Sequence, residues 1–134
     1  MSDTHILLID DERDIRAVVA LCLRKTAGWR VSSAGSGVEG LAMACVEQPD
    51  AILLDVMMPD LDGPATLQRL QADAQTRDIP VIFLTAKAHS ADHRGFAMLG
   101  VTGILTKPFD PMTLADQVQA ILIRKVTTLH DAVP

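Results

Sequence analysis

The sequence predicts a single α/β domain built on an open, doubly wound parallel sheet of five strands with five helices. Short, continuous apolar runs recur along the chain, which is typical of strands buried on both faces of a parallel sheet. Helix-length segments with apolar residues at helical spacing separate these runs. The 134 residues are the size of one ordinary domain, and regular βα alternation at this length predicts right-handed crossovers with helices on both faces.

The predicted strands coincide with the apolar runs, which in chain order are 6–9, 29–33, 51–54, 81–84 and 101–105, with 29–33 the weakest. The predicted helices follow them at 12–27, 38–47, 63–73, 90–99 and 111–125. Pro64 and Pro111 suit the first turns of the third and fifth helices, because the N–H that proline lacks has no partner there. We expect one domain at 1–127 and a short tail at 128–134.

Composition and charge exclude several classes of protein. Apolar residues make up 49% of the chain and charged residues 22%, which is the balance of a globular domain. Lys and Arg number 12 against 17 Asp and Glu, and the net charge of −5 argues against direct nucleic-acid binding. No apolar run approaches the roughly 18 residues of a membrane span, and no signal peptide is evident. We therefore expect a cytoplasmic protein without membrane insertion, in which Cys22 and Cys45 are buried, reduced thiols.

Polar residues follow four of the predicted strands: Asp10 and Asp11, Asp55, Thr85, and Lys107. An aspartate at a strand end is usually a helix N-cap, so no single one of these residues is decisive. Their occurrence after four different strands favours a shared site. Because ligands of open α/β sheets bind beyond the carboxyl ends of the strands, we expect these side chains to converge there.

Three neighbouring carboxylates repel one another, and a hard divalent cation with oxygen ligands relieves that repulsion; we expect this cation to be Mg²⁺. Mg²⁺ bound by few carboxylates keeps waters and shares a phosphate oxygen. Lys107 offers a positive charge and Thr85 a hydroxyl for the remaining oxygens. The residues therefore predict a site for a phosphoryl group.

Over nearly its whole length the chain resembles the receiver domain of bacterial two-component response regulators. Four motifs carry the resemblance: LIDDE at 8–12, LLDVMMPDLDG at 53–63, LTA at 84–86 and TKPF at 106–109. They occur in the family's order and near its usual spacings. The resemblance implies a flavodoxin-like sheet with strand order 2-1-3-4-5.

The resemblance also implies the chemistry of the site. Asp55 would take a phosphoryl group from a phosphohistidine of a sensor histidine kinase or histidine phosphotransfer protein, forming an aspartyl phosphate. Asp11, Asp55 and the Met57 carbonyl would bind Mg²⁺ directly, with Asp10 assisting through water. Lys107 would hold a phosphoryl oxygen. The domain would thus catalyse its own phosphorylation and dephosphorylation while serving mainly as a signalling switch.

The switch implied by the resemblance involves Thr85 and Ala86, which would contact the phosphoryl oxygens through a hydroxyl and a backbone N–H. A cis peptide bond is implied before Pro108. Family members often carry Tyr or Phe where this chain has Ile104, so the output surface around Ile104 is expected to respond differently. The signal would leave through a downstream protein target or a phosphorelay, and dimerisation on activation is compatible with the family.

The first predicted helix carries a broad apolar face that includes Ile15. Most of this face should pack on the sheet. The part nearest the site, at Ile15, is a candidate docking point for the kinase partner.

Two other functions are compatible with parts of the sequence. A pseudo-receiver would bind a partner constitutively, but such proteins usually lack one of the acidic, Thr or Lys residues, and none is missing here. The segment Asp60-Leu61-Asp62-Gly63 resembles the motif of haloacid-dehalogenase-like phosphatases, yet Met-Met-Pro separates it from the strand and Pro64 replaces the expected Thr. As an EF-hand loop it would place Arg69 where the bidentate Glu belongs.

Two further motifs have simpler explanations than ligand binding. The segment 35–40 matches the G-x-G-x-x-G dinucleotide motif but follows the second strand rather than the first, and glycines also serve in turns and close packing. His89 and His93 stand one helical turn apart and could bind a metal with Asp92, but a solvated helix face is the simpler interpretation.

Overall fold

The computed structural model describes residues 3–87 and 90–131, in which five strands alternate with five helices as predicted. The strands are β1 (His5–Ile9), β2 (Arg30–Ala34), β3 (Ala51–Asp55), β4 (Val81–Thr85) and β5 (Gly103–Thr106). The helices are α1 (Arg13–Ala27), α2 (Gly37–Glu47), α3 (Gly63–Ala72), α4 (Ser90–Ala97) and α5 (Leu114–Asp131). None of the helices in these ranges is long and apolar enough to cross a membrane.

The five strands form one parallel sheet in the order β2-β1-β3-β4-β5, which confirms the predicted topology. After β1 the chain moves outward to β2 and then crosses back to place β3 on the other side of β1. The connection after β1 and the connection after β3 therefore run towards opposite edges of the sheet. Such a reversal leaves a crevice at the carboxyl ends of the strands.

The central strands are buried on both faces of the sheet. Along β1, Ile6 and Leu8 pack in one apolar layer with residues of α1 and α5. Leu7 and Ile9 pack in the opposite layer with residues of α2 and α3. This double burial explains why the apolar runs are continuous rather than alternating. The edge strand β2 instead mixes exposed, half-buried and buried residues, and so has the weakest sequence signal.

Side chains in the loops before α2 and α3 determine where these two helices begin. Ser36 accepts a hydrogen bond from the N–H of Glu39, and the Glu39 carboxylate accepts one from the N–H of Gly35 at 2.6 Å. Asp62 accepts a hydrogen bond from the N–H of Ala65 at 2.9 Å.

Gly63 allows α3 to begin directly against the end of β3. A Cβ at this position would lie 2.7 Å from the carbonyl oxygen of Asp55 and 2.7 Å from the Cα of Val56. The Gly63 N–H also donates a hydrogen bond to the Val56 carbonyl at 2.9 Å. A residue without a side chain is therefore required where the connection after β3 folds back on the strand.

The element boundaries differ from the predicted ones mainly in the last third of the chain. The helix predicted from Pro111 begins at Leu114, because residues 110–113 form a turn in which the Asp110 carboxylate accepts a hydrogen bond from the Met112 N–H. The same helix continues to Asp131 instead of ending near 125, so it extends into the segment predicted as a tail. The division into a domain at 1–127 and a tail at 128–134 stays a prediction.

Cys22 and Cys45 are both free thiols, as predicted, but the prediction that they are buried was wrong. Each is only partly buried. The core-facing stripe of α1 consists of Val19, Ala20 and Leu23, which leaves Cys22 on the flank of the helix. Cys45 likewise lies beside the buried Ala44, and its thiol donates a hydrogen bond to Oε1 of Gln75 at 2.9 Å.

Candidate functional site

The structure brings Asp10, Asp11, Asp55 and Lys107 together at the carboxyl ends of β1, β3 and β5. One carboxylate oxygen from each of the three aspartates lies within 4.8 Å of those of the other two. Asp10 and Asp55 are buried, whereas Asp11 is exposed at the mouth of the crevice. The predicted convergence of these residues is therefore confirmed.

The ammonium group of Lys107 is the countercharge inside the cluster. Its Nζ lies 3.1 Å from Oδ2 of Asp10 and 3.2 Å from Oδ1 of Asp55, and it donates a hydrogen bond to each. Oε1 of Glu12 lies 3.6 Å from the same nitrogen. One lysine thus faces several carboxylates, so the negative charge of the site is only partly neutralised.

The loop after β1 begins with Asp10 and Asp11, and we call these two residues the acidic turn. Oδ1 of Asp10 accepts a hydrogen bond from the N–H of Glu12 at 2.8 Å, and the N–H of Asp10 donates to the carbonyl of Ala34 at 3.1 Å. These bonds direct the other oxygen of Asp10 towards Lys107 while leaving Asp11 at the surface. Across the crevice, Oδ1 of Asp55 accepts a hydrogen bond of 3.4 Å from the N–H of Met57.

The pKa of the Asp55 carboxyl is raised from 3.8 to about 6, because burial and, to a smaller extent, the negative charge of Asp10 outweigh the opposing effect of Lys107. For Lys107, burial acts to lower the pKa. Its hydrogen bonds and charge interactions with Asp10 and Asp55 outweigh burial, so the pKa of Lys107 lies above its usual value. At neutral pH the carboxylate of Asp55 is mostly ionised and Lys107 is fully charged.

The donor set fits a hard divalent cation. Carboxylate oxygens are the ligands that Mg²⁺ prefers, and three of them converge here beside the ammonium group of Lys107. A cation would offset both the mutual repulsion of the carboxylates and the cost of burying the negative charge of Asp55. These are the two effects that raise the pKa of Asp55. Met57 lies at the rim with an exposed side chain, and its carbonyl remains a predicted ligand.

Thr85 is buried at the end of β4, beside the strand that carries Asp55. Its hydroxyl oxygen accepts a hydrogen bond from the N–H of Lys87 at 3.0 Å, and its carbonyl accepts one from the N–H of Lys107 at 2.7 Å. Ala86 follows in an exposed position. The peptide bond between Lys107 and Pro108 is cis, as the resemblance implied.

The predicted docking and output residues lie on opposite faces of the sheet. Ile15 lines a groove of about 480 Å³ next to Lys107, which we call the α1 groove; its other apolar walls include Val18, Val19, Pro108, Phe109 and Leu114. Ile104 lies on β5, where it is half-buried and pairs in register with Phe83 of β4. Ile15 and Ile104 therefore pack in the apolar layers on opposite faces of the sheet.

Two residues close to the cluster were missed as site residues at the sequence level. Glu12 is the last residue of the LIDDE motif, and its Oε1 lies 3.6 Å from Nζ of Lys107. Arg16 donates a hydrogen bond from Nη1 to the main-chain carbonyl of Asp10 at 2.8 Å. The spacing of Arg16 four residues after Glu12, on the same side of a helix, was the available signal.

Other motifs have structural roles. Asp62 is the N-cap of α3, which accounts for the residue shared by the calcium-loop and phosphatase interpretations. Added side chains at Gly37 and Gly40 would collide with Thr66 and Ile9, so these glycines serve close packing. A ring nitrogen of His93 lies 2.7 Å from the carbonyl oxygen of Lys87, whereas His89 is outside the described residues.

Comparison with known proteins is consistent with this geometry. The sequence profile of the response regulator receiver domain matches residues 6–119. The DNA-binding dual master transcriptional regulator RpaA of Synechocystis sp. is 43% identical over 121 residues, covering 90% of this chain and 49% of RpaA. The phosphate regulon transcriptional regulatory protein PhoB of Pseudomonas aeruginosa is 37% identical, covering 89% of this chain and 52% of PhoB. The chain spans about half the length of these curated relatives.

Solved structures of similar length share the whole fold. The chemotaxis response regulator CheY4 of Vibrio cholerae has a TM-score of 0.83 and 32% identity, covering 90% of this chain and 99% of CheY4. The receiver domain of the Francisella response regulator 1452 has a TM-score of 0.81 and 28% identity, covering 92% of this chain and 99% of that domain.

The buried charge of Asp55 should cost stability in the absence of divalent cations. A carboxyl whose pKa is raised on folding destabilises the fold above its folded pKa, and this cost disappears as the pH falls from about 6 to below 3.8. We expect Asp55→Asn to raise the free energy of unfolding by on the order of 2 kcal/mol at pH 8. Urea unfolding in the presence of EDTA at pH 8 and pH 4 measures this difference.

The matched control is Asp60→Asn, which removes the same charge from an exposed turn residue. It should change stability by less than about 0.5 kcal/mol at either pH. An equal gain for Asp55→Asn at both pH values would contradict the assignment of the cost to the buried charge.

Proposed function

The chain belongs to the family of response regulator receiver domains, and we propose that it accepts a phosphoryl group on Asp55 and thereby signals to another protein. The observation that carries the proposal is the nearly buried Asp55 carboxylate, which lies among Asp10, Asp11 and the ammonium group of Lys107. Carboxylates for a cation and a lysine for phosphoryl oxygens are the parts that phosphoryl transfer to an aspartate requires.

In the proposed reaction an Asp55 carboxylate oxygen attacks the phosphorus of a phosphohistidine. The new P–O bond forms as the P–N bond breaks, and the leaving imidazole nitrogen keeps the electron pair of that bond. Asp10, Asp11, Asp55 and the Met57 carbonyl would hold Mg²⁺, which when bound supplies positive charge beside the phosphoryl oxygens.

Lys107 lies close to the carboxylate that would accept the phosphoryl group. Its ammonium group lies 3.2 Å from the Asp55 oxygen and is held from the other side by Asp10. A phosphoryl group joined to Asp55 would bring its oxygens close to this nitrogen without a large movement of the lysine. Positive charge that is positioned before the reaction stabilises the transition state with little cost of reorganisation.

Thr85 can bind the phosphoryl group while keeping its present contact. Its hydroxyl oxygen accepts the Lys87 N–H, which leaves the hydroxyl proton free to be donated to a phosphoryl oxygen. The Ala86 N–H would donate a second hydrogen bond. Movement of this loop would reach Ile104 on β5, because β4 and β5 are adjacent and the Thr85 carbonyl bonds the Lys107 N–H.

The α1 groove is the proposed docking surface for the phosphodonor protein. It adjoins Lys107 and offers an apolar wall that includes Ile15, close to where a phosphohistidine must approach Asp55. The partner would be a sensor histidine kinase or a histidine phosphotransfer protein. A downstream protein would read the change at the β4–β5 edge, and a dimer formed on activation is one form that this output could take.

Phosphorylation of Asp55 is tested by intact mass after incubation with acetyl phosphate. The native chain should gain one phosphoryl group when Mg²⁺ is present and none in EDTA, because the carboxylates alone repel the donor. Asp55→Asn should gain none. Asp60→Asn, on the exposed turn, should gain one as the native chain does. Equal labelling of the Asp55→Asn variant would refute the proposal.

The switch is tested by amide NMR spectra of the same phosphorylated sample. We expect shifts at Thr85, Ala86 and Ile104 in the native chain. Thr85→Val keeps the shape of the buried side chain but removes the hydroxyl, so phosphorylation should shift Thr85's neighbours less and leave Ile104 nearly unchanged. Full shifts at Ile104 in this variant would contradict a route through the hydroxyl.

Docking is tested with a phosphorylated sensor kinase from the same genome. Ile15→Ala should slow transfer from the kinase by about fivefold relative to transfer from acetyl phosphate, since one truncated apolar contact at an interface costs on the order of 1 kcal/mol. Val46→Ala is the matched control, because Val46 is an exposed apolar residue on α2, away from the α1 groove. Equal slowing by both substitutions would argue against docking at Ile15.

A further inference from the structure

Arg16 holds the acidic turn from outside the cluster. It lies near the beginning of α1, where it is half-buried, and its Nη1 donates a hydrogen bond of 2.8 Å to the carbonyl oxygen of Asp10. This carbonyl belongs to the peptide that joins Asp10 to Asp11. The hydrogen bond therefore restrains the plane of that peptide and, with it, the direction in which Asp11 leaves the backbone.

The guanidinium group fills the space over Gly35, the residue that follows β2. A Cβ at position 35 would lie 3.2 Å from Nη1 and 3.5 Å from Cζ of Arg16. The adjacent Ala34 accepts the hydrogen bond from the N–H of Asp10. Arg16 thus packs on the loop after β2 while it donates a hydrogen bond to the loop after β1. The guanidinium group fits in this space because Gly35 has no side chain.

Asp11 depends on such support more than the other two aspartates do. Asp10 and Asp55 both contact Lys107, whereas within residues 3–87 and 90–131 no hydrogen bond or ion pair involves the exposed Asp11 carboxylate. Arg16 binds the main-chain carbonyl rather than a carboxylate. It therefore steadies the turn without occupying the oxygens that a cation would need.

We infer that Arg16 is a positioning residue that holds the Asp10–Asp11 turn in the conformation that binds Mg²⁺. The inference rests on the proposed function, since it requires the acidic cluster to take up the cation. A turn that is ordered in advance loses less conformational entropy when the ion binds. Residues that orient metal ligands from behind typically change metal affinity by about 10-fold to 100-fold when they are removed.

The test is calorimetric titration of Mg²⁺ into the full chain, with no phosphodonor present. Arg16→Ala should raise the Kd for Mg²⁺ roughly tenfold. Arg16→Lys should recover part of the loss, because an ammonium group can donate one hydrogen bond but does not cover Gly35 as a planar guanidinium does. Arg13→Ala removes the same charge from an exposed position on the same helix and should leave the Kd within about twofold.

A second variant perturbs Arg16 without replacing it. In Gly35→Ala the added Cβ would push on the guanidinium, so we expect a smaller loss of Mg²⁺ affinity, of about threefold, in the native background and none on top of Arg16→Ala. This non-additivity would support the contact. Equal losses from Gly35→Ala in both backgrounds would overturn it.

The rate of phosphorylation by acetyl phosphate separates positioning from general damage. In Arg16→Ala the Mg²⁺ concentration for half-maximal rate should rise with the Kd, while the rate at saturating Mg²⁺ stays within about twofold of the native rate. If the Arg16→Ala chain is folded, as verified by circular dichroism, and binds Mg²⁺ with native affinity, the inference about Arg16 is overturned. The proposed metal site would then still stand. Failure of the native chain to bind Mg²⁺ would overturn the proposed metal site, and the inference with it.

Discussion

Mutual repulsion among three carboxylates is the constraint on which the site depends. Oxygens of Asp10, Asp11 and Asp55 lie within 4.8 Å of one another, and two like charges at that separation repel by on the order of 3 kcal/mol at an effective dielectric constant of about 20. Lys107 offsets part of this repulsion through its contacts with the two buried aspartates. The negative charge that remains favours the binding of a divalent cation, and a cation beside a lysine would in turn favour the binding of a phosphoryl group.

The sheet keeps these charges together. Asp10 directly follows β1 and Asp55 ends β3, two adjacent strands whose residues are all buried. A fully buried Leu or Ile contributes about 1.5–3 kcal/mol, so the apolar residues of either strand outweigh one repulsive pair at its end. The backbones of Asp10 and Asp55 cannot separate without disrupting the pairing of β1 with β3. The apolar core beneath the site therefore keeps these negative charges close together despite their repulsion.

The beginning of α1 serves several parts of the site at once. Glu12 approaches Lys107 from the rim, Ile15 lines the α1 groove, and Arg16 holds the carbonyl of Asp10. A partner that docks on the α1 groove would thus contact the same helix turn that supports the acidic cluster. The α1 groove and the acidic cluster are therefore adjacent, whereas Ile104 on β5 packs in the apolar layer on the opposite face of the sheet from Ile15.

The sequence by itself determined the order of the elements, the parallel sheet and the convergence of Asp10, Asp55 and Lys107, because continuous apolar runs report double burial and polar residues directly after them must lie at one edge. It did not determine where α5 begins, since a proline opens a turn as readily as a helix. Only the tertiary structure decided the raised pKa of Asp55, the approach of Glu12 to Lys107 and the contact of Arg16 with the Asp10 carbonyl. These properties depend on distances and burial set by packing between separate strands and helices, and residue periodicity carries no information about them.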